Sequence, residues 1–252
     1  MLFDTHAHLN DSAFDEDRDG LITGLAEKGV GLVMNAGCDL ESSKECIALA
    51  EKYPFLYASV GSHPDSADEI CDEVLEKYLQ MSRHPKVKAI GEIGLDYYYE
   101  NFDKGTQIRA FEMQMELARQ ADLPVIVHER DAHGDGMNVV GKFPEISGVF
   151  HCYSGSAEMA QQLVSKGWYI GFTGVLTFKN ARKAVETAES IPLERIVLET
   201  DCPYMSPEPF RGKRNDPGRL PYMAQKLAEI RGLPVEEIIR ITTENAKRLY
   251  RI

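Results

Sequence analysis

Eight short apolar runs, each followed by a segment of helical character, fill this chain from end to end. The runs are LFDTH (2–6), VGLVMNAG (30–37), FLYASVG (55–61), VKAIGEIG (87–94), LPVIVHE (123–129), SGVFHCY (147–153), WYIGFTG (168–174) and ERIVLETD (194–201). Continuous apolar runs of this length read as strands buried on both faces. Helical segments are expected near 15–28, 40–52, 68–82, 104–121, 134–142, 158–166 and 181–189, with a tail of helices near 218–231, 235–240 and 242–250. The 104–121 segment places Ile108, Phe111, Met115 and Leu117/Ala118 close to a 3.6-residue period. Eight strands alternating with helices in 252 residues predict an α/β chain of the (β/α)8 TIM-barrel class, a single domain over 1–252. The main rival is an open doubly wound sheet, which normally has fewer strands and often a glycine-rich first turn. The first turn here, HAHLNDS, carries neither GxGxxG nor GxxxxGK.

Composition narrows the class further. Hydrophobic residues make up 43% and charged residues 27%, the balance of a globular chain. No run of about 18 apolar residues is present, so no membrane-spanning helix is expected. The N-terminus lacks a basic stretch followed by an apolar run, so no signal peptide is expected. The five cysteines (Cys38, Cys46, Cys71, Cys152, Cys202) are an odd number without CxxC spacing, which fits reduced thiols and a cytoplasmic protein. The net charge of −12 argues against a protein that coats duplexes through many phosphate contacts. It leaves room for a locally positive site, because fields are local in salt.

In a parallel barrel the chemistry sits where strands finish. The first strand ends in Asp4-Thr5-His6-Ala7-His8, the third in Gly61-Ser62-His63-Pro64, the fifth in His128-Glu129, the sixth in His151 and the eighth in Glu199-Thr200-Asp201. The fourth carries Glu92, then Gly94, Leu95 and Asp96. Six of the seven histidines fall in or near such positions; His84 lies in an inter-element turn. His6 and His8, at i and i+2 of an extended segment, face the same side and form a two-nitrogen clamp. With His128, His151, Glu92 and Asp201 they make four imidazoles and two carboxylates, a set suited to Zn²⁺, Mn²⁺, Fe²⁺ or Co²⁺, with Mg²⁺ on the oxygen-rich side. Six ligands exceed what one catalytic ion with an open position needs. The expectation is therefore two divalent ions (Mg, Mn or Zn) sharing Glu92, with His6, His8 and Asp201 on one side and His128 and His151 on the other. His63 lines the pocket, binds substrate or caps Pro64-Asp65. His133 is either a phosphate contact or a surface residue. Asp4 and Glu199 are read as support.

Such a set performs metal-assisted hydrolysis, with Asp201 as the candidate proton acceptor. Amide, lactone and phosphoester substrates all remain open on the metal set alone. Two features point towards phosphate. Arg211, Lys213, Arg214 and Arg219 form a basic stretch about ten residues beyond Asp201, and Arg130 stands two residues after His128. Charge alone equally allows a solvated loop whose arginines pair with Asp216 or Glu208. Tyr97, Tyr98, Tyr99 and Phe102 follow Glu92 and suit either base stacking or simple coverage of a barrel mouth.

Taken together, FDTHAHLN (3–10), GSHPDSA (61–67), GEIGLDYY (91–98), IVHERDA (126–132), FHCYSGS (150–156) and ETDCPYMSPEPFRGKRNDP (199–217) make the chain resemble, along its full length, the TatD family of metal-dependent deoxyribonucleases, within the amidohydrolase-like TIM-barrel hydrolases. The resemblance implies metal ligands at His6, His8, Glu92, His128, His151 and Asp201. It implies hydrolysis of DNA phosphodiester bonds, with 3′→5′ exonuclease activity on single-stranded DNA reported for some members. Substrate contacts are then expected at His63, Arg130, Tyr97, Arg211 and Arg214, in a monomer that acts on nucleic acid without a membrane or an obligate protein partner. The alternative expectation is a metal-dependent hydrolase of an amide, a lactone or an aminoacyl ester on the same scaffold. One departure bears on substrate choice: where the family often has a second histidine after GxHP, this chain has Asp65.

Overall fold

The computed structural model describes residues 1–99 and 103–252. Among these, the strands are β1 (Leu2–Ala7), β2 (Val30–Ala36), β3 (Leu56–Val60), β4 (Val87–Asp96), β5 (Val125–Arg130), β6 (Gly148–Phe150), β7 (Tyr169–Phe172) and β8 (Ile196–Leu198). The α-helices are α1 (Arg18–Thr23), α2 (Leu40–Lys52), α3 (Asp72–Met81), α4 (Lys104–Ala121), α5 (His133–Gly141), α6 (Ala157–Ser165), α7 (Arg182–Ser190), α8 (Leu220–Arg231) and α9 (Val235–Tyr250). The eight strands follow chain order in one sheet, and β1/β2, β3/β4, β4/β5, β5/β6 and β7/β8 pair in parallel. This is the (β/α)8 TIM-barrel fold that the alternation predicts. No helix among the described residues is long and apolar enough to cross a membrane.

Two segments differ from the sequence expectation. The first helix is short, because Gly24 closes α1 and the chain continues into a separate 3-10 turn at Ala26–Lys28, capped by Gly29 at φ 84°. At the other end, the expected break near 241 is absent and α9 runs unbroken. The Thr242 hydroxyl donates back to the Ile238 carbonyl at 2.8 Å, and Thr243 donates to the Met1 carbonyl at 3.2 Å. Both hydroxyls are satisfied without interrupting the helix ladder.

The chain divides into two compact units, Met1–Asn35 with Cys152–Ile252, and Ala36–His151. In the first, α9 closes over β1 and β8. Tyr250 is buried against Phe3 with ring centroids 5.8 Å apart, and its hydroxyl donates to the Thr5 carbonyl at 2.9 Å. The Asn245 amide donates to Leu193 and Ile196 carbonyls at 2.8 and 2.7 Å, tying the same helix to the start of β8. These polar ties ride on a core that includes Phe3, Phe14 and Trp168, all essentially inaccessible. Burying an apolar side chain of phenylalanine size stabilises by about 1.5–3 kcal/mol, so this packing outweighs any single hydrogen bond in holding the end strands.

In the second unit α4 does the corresponding work. Asp103 caps it by accepting from the Thr106 N–H at 2.7 Å. Phe111, Met115 and Ala118 are buried as its period predicts, but so are Gln107 and Gln114, seven residues apart on the same face. Gln114 accepts from the Ser62 N–H at 2.7 Å and donates to the Ser62 carbonyl at 3.0 Å. Gln107 does the same at Asp96, at 2.9 and 3.0 Å. Each glutamine therefore pins the chain where β3 or β4 ends, next to His63 and Asp96. Where β4 meets β5, Gly94 pairs with His128 at φ 145°, and a Cβ there would lie 2.0 Å from the His128 carbonyl oxygen. Gly94→Ala is accordingly expected to destabilise the protein by about 3 kcal/mol, through overpacking and backbone strain combined. A denaturant midpoint equal to the parent's would contradict this close approach.

Candidate metal centre

Each unit gathers one cluster of ligand side chains at the C-terminal ends of its strands. In the first unit the register between β1 and the segment after β8 is set by the backbone. The Asp201 N–H donates to the His6 carbonyl and the His8 N–H to the Cys202 carbonyl, both at 2.9 Å. This brings His6 Nε2 to 3.0 Å from His8 Nε2, and Asp201 Oδ1 to 3.7 and 3.4 Å from the two rings. Asp201 adopts φ 53°, a left-handed conformation that aspartate tolerates better than most residues. Asp4, wholly buried, accepts from the Thr200 N–H at 2.9 Å and the Thr200 hydroxyl at 2.5 Å. Burial pushes its carboxyl up to about 8 against the pull of these hydrogen bonds. Glu199 accepts from the Cys152 N–H and pairs with the Thr5 hydroxyl. Both residues support the strand ends, as the sequence suggests.

The second unit centres on Glu92, whose Oε1 lies 2.7 Å from both His128 Nδ1 and His151 Nε2 and 3.9 Å from His63 Nε2. The two ring nitrogens of His128 and His151 are 3.2 Å apart. Cys38 Sγ stands 3.7 Å from Glu92 Oε2. On its far side His128 Nε2 meets Asp96 Oδ2 at 3.1 Å. Burial works against a charge on His128, but the hydrogen bonds to Asp96 and Glu92 outweigh it and raise its pKa to about 10. The same hydrogen bond, the Tyr98 N–H and the Arg130 charge overcome burial at Asp96 and hold its carboxyl below the usual range. An imidazolium must lose its proton to ligate, so metal loading at this cluster releases protons.

The donor sets fit divalent ions. His6, His8 and Asp201 form one group, and His63, Glu92 and His128 another, each able to present three ligand atoms within 4.8 Å of one another. Two donors held about 2.0–2.1 Å from one tetrahedral ion stand about 3.3 Å apart, and the separations of 3.0, 3.4 and 3.7 Å in the first group bracket that value. Mixed imidazole and carboxylate donors suit borderline and hard ions such as Zn²⁺ or Mn²⁺. The chain thus carries two distinct clusters for divalent metal ions, one in each unit. All six ligand residues expected from the sequence lie in these clusters, and His63 joins the second.

The expected substrate contacts are placed less evenly. Arg214 is anchored, with a two-pronged pair to Asp17 at 2.8 and 2.6 Å and a bond to the Ala13 carbonyl. Arg219 is held by Ser206 and Asp216. Arg211 is exposed, stacked 3.9 Å over Phe178, with no carboxylate partner among the described residues. Tyr97 is half-buried, its hydroxyl donating to Asp135 at 3.0 Å. Arg130 lies 3.5 Å over the exposed Tyr98 ring. His133 pairs with Glu129, which also accepts from the Ala132 N–H, so the pair secures the start of α5. Phe102 lies outside the described residues. Asp65 stands 3.4 Å from His63 Nδ1.

Asp96, Cys38, Gln107 and Gln114 went unassigned in the sequence. For Asp96 a signal existed, a carboxylate at the last residue of β4 and two positions beyond GEIG. Because it orients His128 without belonging to either ligand group, Asp96→Asn is expected to weaken metal binding by about 10–100-fold while the protein stays folded. A metal titration monitored by calorimetry reads this, and an unchanged affinity would remove Asp96 from the site.

A parallel (β/α)8 chain with two histidine–carboxylate clusters at its strand ends defines the class of metal-dependent hydrolases. The chain belongs to the family described as TatD related DNase, which matches residues 3–251. It is 42% identical over the full length of both chains to YabD of Bacillus subtilis, an uncharacterized metal-dependent hydrolase. It is 33% identical to the 3′-5′ ssDNA/RNA exonuclease TatD of Escherichia fergusonii, over 100% of this chain and 99% of that one. The crystal structure of the TatD homolog YjjV from Escherichia coli superposes with a TM-score of 0.94 at 32% identity, covering 100% of this chain and 98% of that chain. The protein is a metal-dependent hydrolase related to the TatD nucleases.

Proposed function

We propose that the protein is a divalent-metal-dependent phosphodiesterase that removes nucleotides 3′→5′ from single-stranded DNA, with one ion in each cluster. The observation that carries this reading is the pair of clusters, His6–His8–Asp201 and Glu92–His128–His151, in a chain of this family. When bound, divalent ions lower the pKa of a water and polarise the phosphoryl group. The chain's own residues supply the rest. Asp201 turns one carboxylate oxygen towards His6 and His8, and its second oxygen is assigned to accept the proton of the attacking water. Glu92 and Asp96 hold His128 between them, fixing which of its nitrogens is offered. Arg130 and Arg211, without carboxylate partners among the described residues, are the cations assigned to substrate phosphates, and His63 to the phosphate nearest Glu92. The enzyme is taken to act as a monomer.

Oligonucleotides labelled at the 5′ or the 3′ end test the direction. Attack from the 3′ end leaves a shrinking ladder on the 5′-labelled strand and releases a labelled mononucleotide at once from the 3′-labelled one. The reverse pattern overturns the polarity. No cleavage, with turnover of a carboxylic ester or amide, would transfer the site to the alternative substrates.

A further inference from the structure

We propose that Tyr98, Tyr99 and Arg130 form a platform on which unpaired bases of the substrate strand stack, held to the second cluster by Asp96. This deepens the phosphodiesterase reading and rests on it. Tyr98 and Tyr99 are 55% and 57% exposed, two of the few large rings that reach solvent among the described residues. Their rings meet edge to face, with centroids 5.0 Å apart and planes at 87°. Neither hydroxyl makes a hydrogen bond among the described residues. The Arg130 guanidinium covers one face of Tyr98 at 3.5 Å and lies 5.8 Å from the Tyr99 centroid. No carboxylate pairs with it among the described residues.

Tyr97 provides the contrast. It is half-buried and its hydroxyl is tied to Asp135, whereas the next two rings stand exposed with hydroxyls that make no hydrogen bond among the described residues. The backbone explains where they stand. Asp96 Oδ1 accepts from the Tyr98 N–H at 2.9 Å while Oδ2 meets His128 Nε2 at 3.1 Å. The Tyr97 N–H donates to the Arg130 carbonyl at 2.9 Å. One carboxylate thus links the platform to a metal ligand, at a fixed offset of a few residues.

The surrounding charge sorts the parts of a nucleotide. Beside Tyr99 is a cavity of about 550 Å³ lined in part by Asp65, Asp68, Asp96 and Asp103. Such a wall repels phosphate and leaves room for a neutral base, while Arg130 offers the phosphate a cation. Bases in a duplex are already stacked on both faces, so a stacking platform favours a single strand without reading its sequence.

The test uses the metal-loaded enzyme, a single-stranded oligonucleotide and methyl 4-nitrophenyl phosphate, a small phosphodiester without a base. Replacing both Tyr98→Ala and Tyr99→Ala is expected to raise KM for the oligonucleotide about tenfold more than KM for the small diester. It also narrows the preference for single strand over duplex. Tyr98→Phe with Tyr99→Phe restores the parent KM, since the ring and not the hydroxyl carries the contact. Oligonucleotide KM within twofold of the parent in the alanine variant, or phenylalanine variants as impaired as the alanine ones, overturns the platform and leaves the phosphodiesterase reading standing. A parent enzyme that hydrolyses the small diester but binds no single strand also overturns the platform. A parent that cleaves neither substrate with any divalent ion overturns the reading itself, and the platform with it.

Discussion

Asp201→Asn is expected to lower turnover of a single-stranded oligonucleotide by about 10²–10⁴-fold, the range for losing a proton acceptor positioned at the reacting water. Asparagine is the informative replacement. It tolerates the left-handed backbone at this position, φ 53°, where alanine adds strain to the loss of charge. The backbone bonds that place the residue, Asp201 N–H to the His6 carbonyl and Tyr204 N–H to the Asp201 carbonyl, do not involve the side chain and persist in the variant. The thermal midpoint should therefore stay near the parent's while activity collapses. The amide also cannot carry the negative charge that faces two imidazoles at 3.4 and 3.7 Å, so affinity for the ion falls with turnover. Steady-state kinetics at saturating metal separates the two effects. Turnover that recovers fully when metal is raised would assign Asp201 to ligation alone.

Glu92→Ala is expected to do comparable damage by a different route. Its carboxylate is almost inaccessible, and one oxygen lies 2.7 Å from each of His128 and His151. Without it, one of the two carboxylates that raise the His128 pKa is gone, His128 Nδ1 is left facing the His151 ring nitrogen at 3.2 Å, and the second cluster loses its carboxylate ligand. Metal content per chain, read by elemental analysis after dialysis, should fall below that of the parent. Oligonucleotide turnover should fall by at least about 10²-fold, because the second cluster loses the carboxylate donor that holds its ion. Metal content and turnover both equal to the parent's would place Glu92 outside the centre.

Much of this organisation is legible in the residue order because strand ends are where the fold exposes polar groups. Buried strands must be apolar, so His6, Glu92, His128 and His151 stand out against their neighbours. What eludes a linear reading is the partner of each side chain. Gln107 and Gln114 look like polar interruptions of an amphipathic helix, and only the packing of α4 shows them closing on the backbone of Asp96 and Ser62. Arg214 belongs to a run that suggests phosphate, yet Asp17, nearly two hundred residues away in sequence, takes both prongs of its guanidinium. The three consecutive tyrosines are equivalent in sequence until Asp135 and Lys104 claim the first of them. Local signals govern where an element starts or stops, as at Asp103 or Gly24. Pairings across long sequence separations depend on the register of strands and cannot be enumerated from composition or spacing.

The most direct measurement is digestion of an end-labelled single-stranded oligonucleotide by protein stripped of metal and then reloaded with Mg²⁺, Mn²⁺ or Zn²⁺, alongside Asp201→Asn. No digestion by the stripped protein is expected, with digestion restored by at least one of these ions and an inert variant under the same conditions. Digestion that persists without metal, or an Asp201→Asn enzyme as active as the parent, would contradict this expectation.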